Sequence, residues 1–164
     1  MKIMNYFSFV IFAVFLFTNI NAINIGDEAP NFVLYDQNGF PHSLREHRGQ
    51  FVLLFFYGRD FTPFGIRDVK FFERMYQPLK QKNVVIYGIS NDFLKTHQLF
   101  HEKSKLTYDL LSDPDKEVIG LYGANGWFET KSISVLISPD GKLINKYCDG
   151  DVKNYPLLAL KNLD

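Results

Sequence analysis

Two short stretches, residues 51–57 (FVLLFFY) and 84–90 (VVIYGIS), carry apolar, β-branched and aromatic side chains on both parities of the strand repeat. That pattern predicts parallel strands covered on both faces. Between them the period changes. Val69, Phe72, Met75, Tyr76 and Leu79 recur at helical spacing, with Thr62 placed as an N-cap and Pro63 at the first helical position. Pro78 is expected to end or bend this helix near Tyr76, because proline lacks an amide donor and its ring crowds the preceding turn.

A second helix is expected from about Asn91 or Asp92 to Ser104, with Phe93, Leu94, His97, Phe100 and His101 on one face. Leu110 and Leu111 read as a brief extended piece, and Asp113-Pro114 opens a short helix through Val118, Ile119 and Tyr122. Residues 133–137 and 142–147 flank the turn 138–141 (SPDG) as a β-hairpin, and residues 156–163 suit a closing helix. A right-handed β-α-β-α unit followed by an antiparallel hairpin and a helix is the thioredoxin plan. The predicted class is α/β, a thioredoxin-like fold with a mixed central sheet flanked by helices.

The first 22 residues stand apart. Lys2 precedes an apolar run from Phe7 to Phe17 and then a polar stretch ending at Ala22. This is the shape of a secretory signal peptide, and the run is short for a membrane span. Residues 1–22 are read as the leader and 23–164 as one domain, secreted or periplasmic, with no stable membrane span after cleavage. The bland alternative is an anchor that stays uncleaved.

Charge and cysteine content narrow the function. The 164 residues hold 18 basic and 18 acidic side chains, which argues against a general nucleic-acid binder. One cysteine, Cys148, excludes an internal disulfide and an all-cysteine zinc site.

Five blocks in order then carry a resemblance: residues 26–32 (GDEAPNF), 36–39 (DQNG), 60–63 (DFTP), 110–115 (LLSDPD) and 136–142 (LISPDGK). They resemble peroxiredoxins of the alkyl hydroperoxide reductase/thiol-specific antioxidant superfamily, in particular the bacterioferritin-comigratory or Q-type subgroup. The resemblance implies a thioredoxin fold and reduction of peroxides with electrons from a thiol reductant. It also implies a cysteine in the first turn of the helix after the central strand, where the helix dipole favours a thiolate. That cysteine follows a proline and a threonine or serine at fixed spacing, and an arginine at the start of a later strand assists it. Laid on this chain, the proline position is Gly58, the hydroxyl position Thr62, the cysteine position Gly65 and the arginine position Ser132, beside Lys131. The second cysteine of many Q-type members would fall at Lys70. Only Thr62 survives, so the family's reaction is not available in its usual form.

The other candidate residues each have a plainer role beside the functional one. Thr62 suits a helix cap; with Arg59, Arg67 and the amides of residues 64–67 it also suits an anion pocket, which Phe64 would plug. Cys148 is expected at the same end of the sheet as Thr62, about 10 Å away at ordinary strand spacing. It is read as an idle edge thiol, with a partner disulfide or a surrogate redox role as alternatives. His97 and His101 share a helix face at a metal-binding spacing without an evident third ligand, so core packing is the expectation. His42 and His47 are expected in a solvated connection. The loop 123–128 (GANGWF) carries the only tryptophan, Trp127, either as a binding contact or as a cover for the core. No cofactor or metal is expected. The resulting reading is an exported, non-catalytic peroxiredoxin-like module that binds a protein partner or small ligand. The alternative is a thiol peroxidase using Cys148.

Overall fold

The computed structural model describes residues 23–127 and 129–148. At its centre β3 (Phe51–Phe56) and β4 (Val84–Ser90) run parallel, in register from Phe51↔Val84 to Phe56↔Ile89. Alternation sorts their side chains into two cores. Val52, Leu54 and Phe56 join one; Leu53, Phe55 and the following Tyr57 join the other. Hydrophobic burial on both faces is what the unbroken apolar runs require.

On one side of this pair β5 (Asp109–Ser112) lies parallel to β4 and antiparallel to β1 (Val33–Asp36), which pairs with β2 (Pro41–Ser43) at the edge. On the other side β6 (Ile133–Ile137) lies antiparallel to β3, and β7 (Leu143–Tyr147) antiparallel to β6. The mixed sheet has the order β2-β1-β5-β4-β3-β6-β7. With α1 (Pro63–Gln81), α2 (Leu94–Ser104) and α3 (Glu117–Leu121), this is the expected thioredoxin-like fold.

Three local expectations are corrected, and one hairpin is added. The helix after β3 does not stop at Pro78 but runs to Gln81. Pro78 is exposed in the last turn, and the next residue, Leu79, is fully buried, which holds that turn against the core. Phe93 and Leu94 do not face the core: Phe93 is the N-cap of α2 and 69% exposed, while His97 and Phe100 point inward. The β1–β2 hairpin was not anticipated. His42 and His47 are not simply solvated, since both bond the hydroxyl of buried Tyr87, at 2.9 and 2.8 Å.

Among the described residues no helix is long and apolar enough to cross a membrane. The leader and the closing helix expected over residues 156–163 lie outside the described residues.

Candidate functional site

The connection from β3 to α1 is set by a chain of buried hydrogen bonds. Tyr57, the residue after β3, donates its hydroxyl to Asp60 Oδ1 at 2.7 Å. Asp60 Oδ2 lies 2.8 Å from His97 Nδ1, and His97 Nε2 donates to the carbonyl of Leu111 at 3.2 Å. The Asp60 amide donates to Asp92 Oδ2 at 2.9 Å, an oxygen that also accepts from Ser90 Oγ. Both ring nitrogens of His97 thus face oxygen atoms, and the His97–Asp60 contact is fully buried. Burial, and then the Asp60 charge, push the Tyr57 hydroxyl far above the ordinary tyrosine value, so it serves as a donor.

With Asp60 held, the chain turns sharply. Phe61 takes the left-handed backbone conformation, φ 59°, and rests edge-on against Phe100. Thr62 then caps α1: its Oγ1 accepts from the Gly65 amide at 3.1 Å and donates to the Arg59 carbonyl at 2.8 Å. The Arg59 carbonyl is thereby turned over the first turn of the helix. An ideal Cβ on Gly65 would overlap the Arg59 oxygen and stand 3.0 Å from its carbon and 3.1 Å from Thr62 Oγ1. A main-chain oxygen occupies the ground that a cysteine side chain would need. The threonine that would address a bound peroxide uses both its donor and an acceptor position internally.

The other two positions are rewired as well. A Cβ on Gly58 would stand 3.2 Å from Glu129 Oε2. Ser132 donates to Asp68 Oδ2 at 3.0 Å, and the other oxygen of this buried carboxylate takes Arg67 at 2.8 Å from Nε and 2.7 Å from a terminal nitrogen. Arg67 also lies over the Phe64 ring, 5.2 Å from its centroid. The Arg67 guanidinium is therefore engaged with Asp68. Below it, Asp68, Ser132 and Ser134 line a cavity of about 10 Å³, room for about one water beside the unpartnered Ser134 hydroxyl.

Cys148 directly follows β7 and is exposed. The pairs Phe55↔Ser134 and Ser134↔Tyr147 bring it to the Thr62 end of the sheet. Trp127 is 98% exposed, so it does not cover the core. Phe61, which leads into α1, Phe64 and Ile66 in its first turn, and Phe93, the N-cap of α2, are also exposed large apolar residues.

His97 and His101 do not converge on a common ion: His97 joins Asp60, while His101 Nε2 bonds the Tyr108 carbonyl at 3.0 Å. Among the described residues the metal-compatible groups are Asp60 with Asp92 and His97, and Asp36 with His42 and Asp109. Of these the sequence pointed only to His97; its carboxylate partners and the second group lie on separate elements and share no local spacing. Asp60 stands in the DFTP block, which was the one available signal for it.

The AhpC/TSA family model matches residues 25–146. Peroxiredoxin Bcp of Escherichia coli is 35% identical over 150 residues, covering 83% of this chain and 92% of its own. The chloroplastic peroxiredoxin Q of Arabidopsis thaliana is 39% identical over 104 residues, 63% of this chain and 48% of its own. Among solved structures, peroxidoxin BcpB of Mycobacterium tuberculosis superposes with a TM-score of 0.78 at 26% identity, covering 85% of this chain and 95% of its own. A PrxQ mutant of Xylella fastidiosa gives 0.80 at 23% identity, covering 87% and 96%, a likeness of fold. This chain belongs to the AhpC/TSA family, among the peroxiredoxins of the bacterioferritin-comigratory, Q type.

Proposed function

We propose that this domain is a non-catalytic member of its family, exported by its N-terminal leader, whose retained scaffold binds a partner protein or a small ligand. The observation that carries the reading is the Arg59 carbonyl standing over Gly65. Peroxide reduction by this family needs a thiolate at the helix N-terminus, and here neither the sulfur nor the space for it exists. The exposed Trp127 gives the module an aromatic side chain of the kind that anchors protein contacts. The apolar run from Phe7 to Phe17 supports export.

The rival reading is a thiol peroxidase that uses Cys148. It is favoured by the names of the relatives, which are peroxiredoxins, and by the emergence of Cys148 at the Thr62 end of the sheet. Peroxide consumption by the purified protein with a dithiol reductant separates the two. The expected result is no turnover of hydrogen peroxide or an organic hydroperoxide above the reductant alone. Turnover that disappears in Cys148→Ser overturns the proposal. Mass analysis of the protein recovered from its native host tests export: a chain starting at Ile23 is expected, and an intact chain retained inside the cell overturns that part.

A further inference from the structure

At the end of the sheet opposite Gly65, β5 begins late. It first pairs with β4 at Tyr87↔Asp109, so Val84, Val85 and Ile86 have a partner strand on the β3 side only. The gap is a cavity of about 300 Å³, lined among others by Gln50, Tyr76, Tyr87, Tyr108 and Asp109. Asp109 joins Asp36 and His42 in a group whose ligand atoms all lie within 4.8 Å of one another. His42 Nε2 and Asp36 Oδ2 are 3.2 Å apart. Neighbouring ligands on one ion have that separation when each bond is about 2.0–2.2 Å.

Each side chain is also held by hydrogen bonds from outside the group. Asp36 Oδ1 accepts from the amides of Asn38 and Phe40 at 2.8 and 2.9 Å. His42 Nδ1 meets the Tyr87 hydroxyl at 2.9 Å, and that hydroxyl is held in turn by His47 Nε2. Asp109 Oδ1 accepts from Gln37 Nε2 at 2.7 Å, while Gln37 Oε1 is fixed by the Leu110 amide. Outer partners of this kind set the orientation and basicity of metal ligands. Charge points the same way. Among the described residues neither Asp36 nor Asp109 forms an ion pair with a lysine or arginine, so two carboxylates face one imidazole. The Asp60, Asp92 and His97 group has the same charge count, but its His97 and Asp60 side chains are fully buried, whereas that of His42 is 21% exposed.

We propose that Asp36, His42 and Asp109 bind a divalent transition-metal ion of the zinc type, at the margin of the cavity that Asp109 lines. One nitrogen and two oxygen donors suit such an ion, and the partly exposed His42 gives it access from solvent. The site is independent of the Gly65 region and of whether the chain reduces peroxides.

The test is calorimetric titration of chelator-treated protein with Zn²⁺, joined to X-ray absorption of the loaded protein. One ion per chain is expected, in a shell of nitrogen and oxygen that includes one imidazole and no sulfur. Asp109→Asn, which keeps an acceptor for Gln37, and His42→Gln each weaken binding at least tenfold, while Cys148→Ser leaves it unchanged. Absence of stoichiometric binding, a sulfur ligand, or affinity unaltered in Asp109→Asn overturns the proposal. The absorption spectrum decides on the unaltered protein if either variant fails to fold.

Discussion

The carbonyl of Arg59 is held over Gly65 by the Thr62 hydroxyl, and the two residues meet where a Cβ on residue 65 would have to stand. Glycine at 65 is therefore a requirement of this backbone and more than the loss of a cysteine. Forcing a side chain into so tight a space costs about 1–3 kcal/mol through local rearrangement. Gly65→Ala and Gly65→Cys should both lower stability by that order in chemical denaturation, and Gly65→Cys should not consume peroxide. A Gly65→Cys protein as stable as the parent and active on peroxide would refute the closed-site reading.

Thr62 anchors the same arrangement. Removing its hydroxyl deprives the Gly65 amide of its acceptor and the Arg59 carbonyl of its donor. Thr62→Ala should destabilise the protein by about 1 kcal/mol, as ordinary N-cap losses do. Thr62→Ser, which keeps the oxygen, should retain most of that stability. Equal loss in both variants would show that the methyl group, not the hydroxyl, matters.

The loop between β3 and α1 hangs on the buried pair His97–Asp60, joined at 2.8 Å. His97→Ala leaves a buried carboxylate without its partner, a change that typically costs about 3–5 kcal/mol. Tyr57→Phe removes a single donor from the same carboxylate and should cost less, about 1–3 kcal/mol. Since both act on Asp60, their effects should not add in a double-mutant cycle. Additive losses would mean that the two contacts are independent.

Features decided by neighbours in sequence were legible beforehand. Thr62 and Pro63 announce the start of α1, and the runs ending at Tyr57 and Ser90 announce the central strands. The absent cysteine at Gly65 was equally plain. What took its place was not, because it depends on the left-handed turn at Phe61 and on a hydrogen bond between Asp60 and His97, 37 residues apart. The β1–β2 hairpin left little signal: its strands have four and three residues, and Val33 and Tyr35 are exposed. At Pro78 a correct local rule was overridden by the burial of Leu79.

Asp113 gives the acid range a definite sign. Burial raises its carboxyl above the ordinary value, although the amides of Ile119, Glu117 and Val118 pull the other way. The folded chain therefore holds a proton there more readily than the unfolded chain does. The contribution of this group is fully present below the unfolded value and is lost as pH rises through the raised folded value. The stability difference between the parent and Asp113→Asn should accordingly be most favourable to the parent at the acid end and decline as pH rises through that window. A difference that grows with pH would reverse the assignment.

Trp127 offers a direct reading of the site's surface, because it is the only tryptophan in the chain and is 98% exposed. A solvent-bathed indole emits at long wavelength and is accessible to acrylamide, whereas one packed on the core is neither. The protein alone should therefore show red-shifted emission with strong quenching. Trp127→Ala should change stability by no more than about 0.5 kcal/mol, since nothing packed is removed. Blue-shifted, protected emission in the isolated protein would contradict this exposure. If a partner docks on this end, its addition should shift the emission to the blue and shield it from acrylamide, and Trp127→Ala should weaken that association while leaving the fold intact. Shielding without loss of affinity in Trp127→Ala would instead make the side chain a bystander at the edge of the contact, and the anchoring residues would have to be sought among Phe61, Phe64 and Phe93.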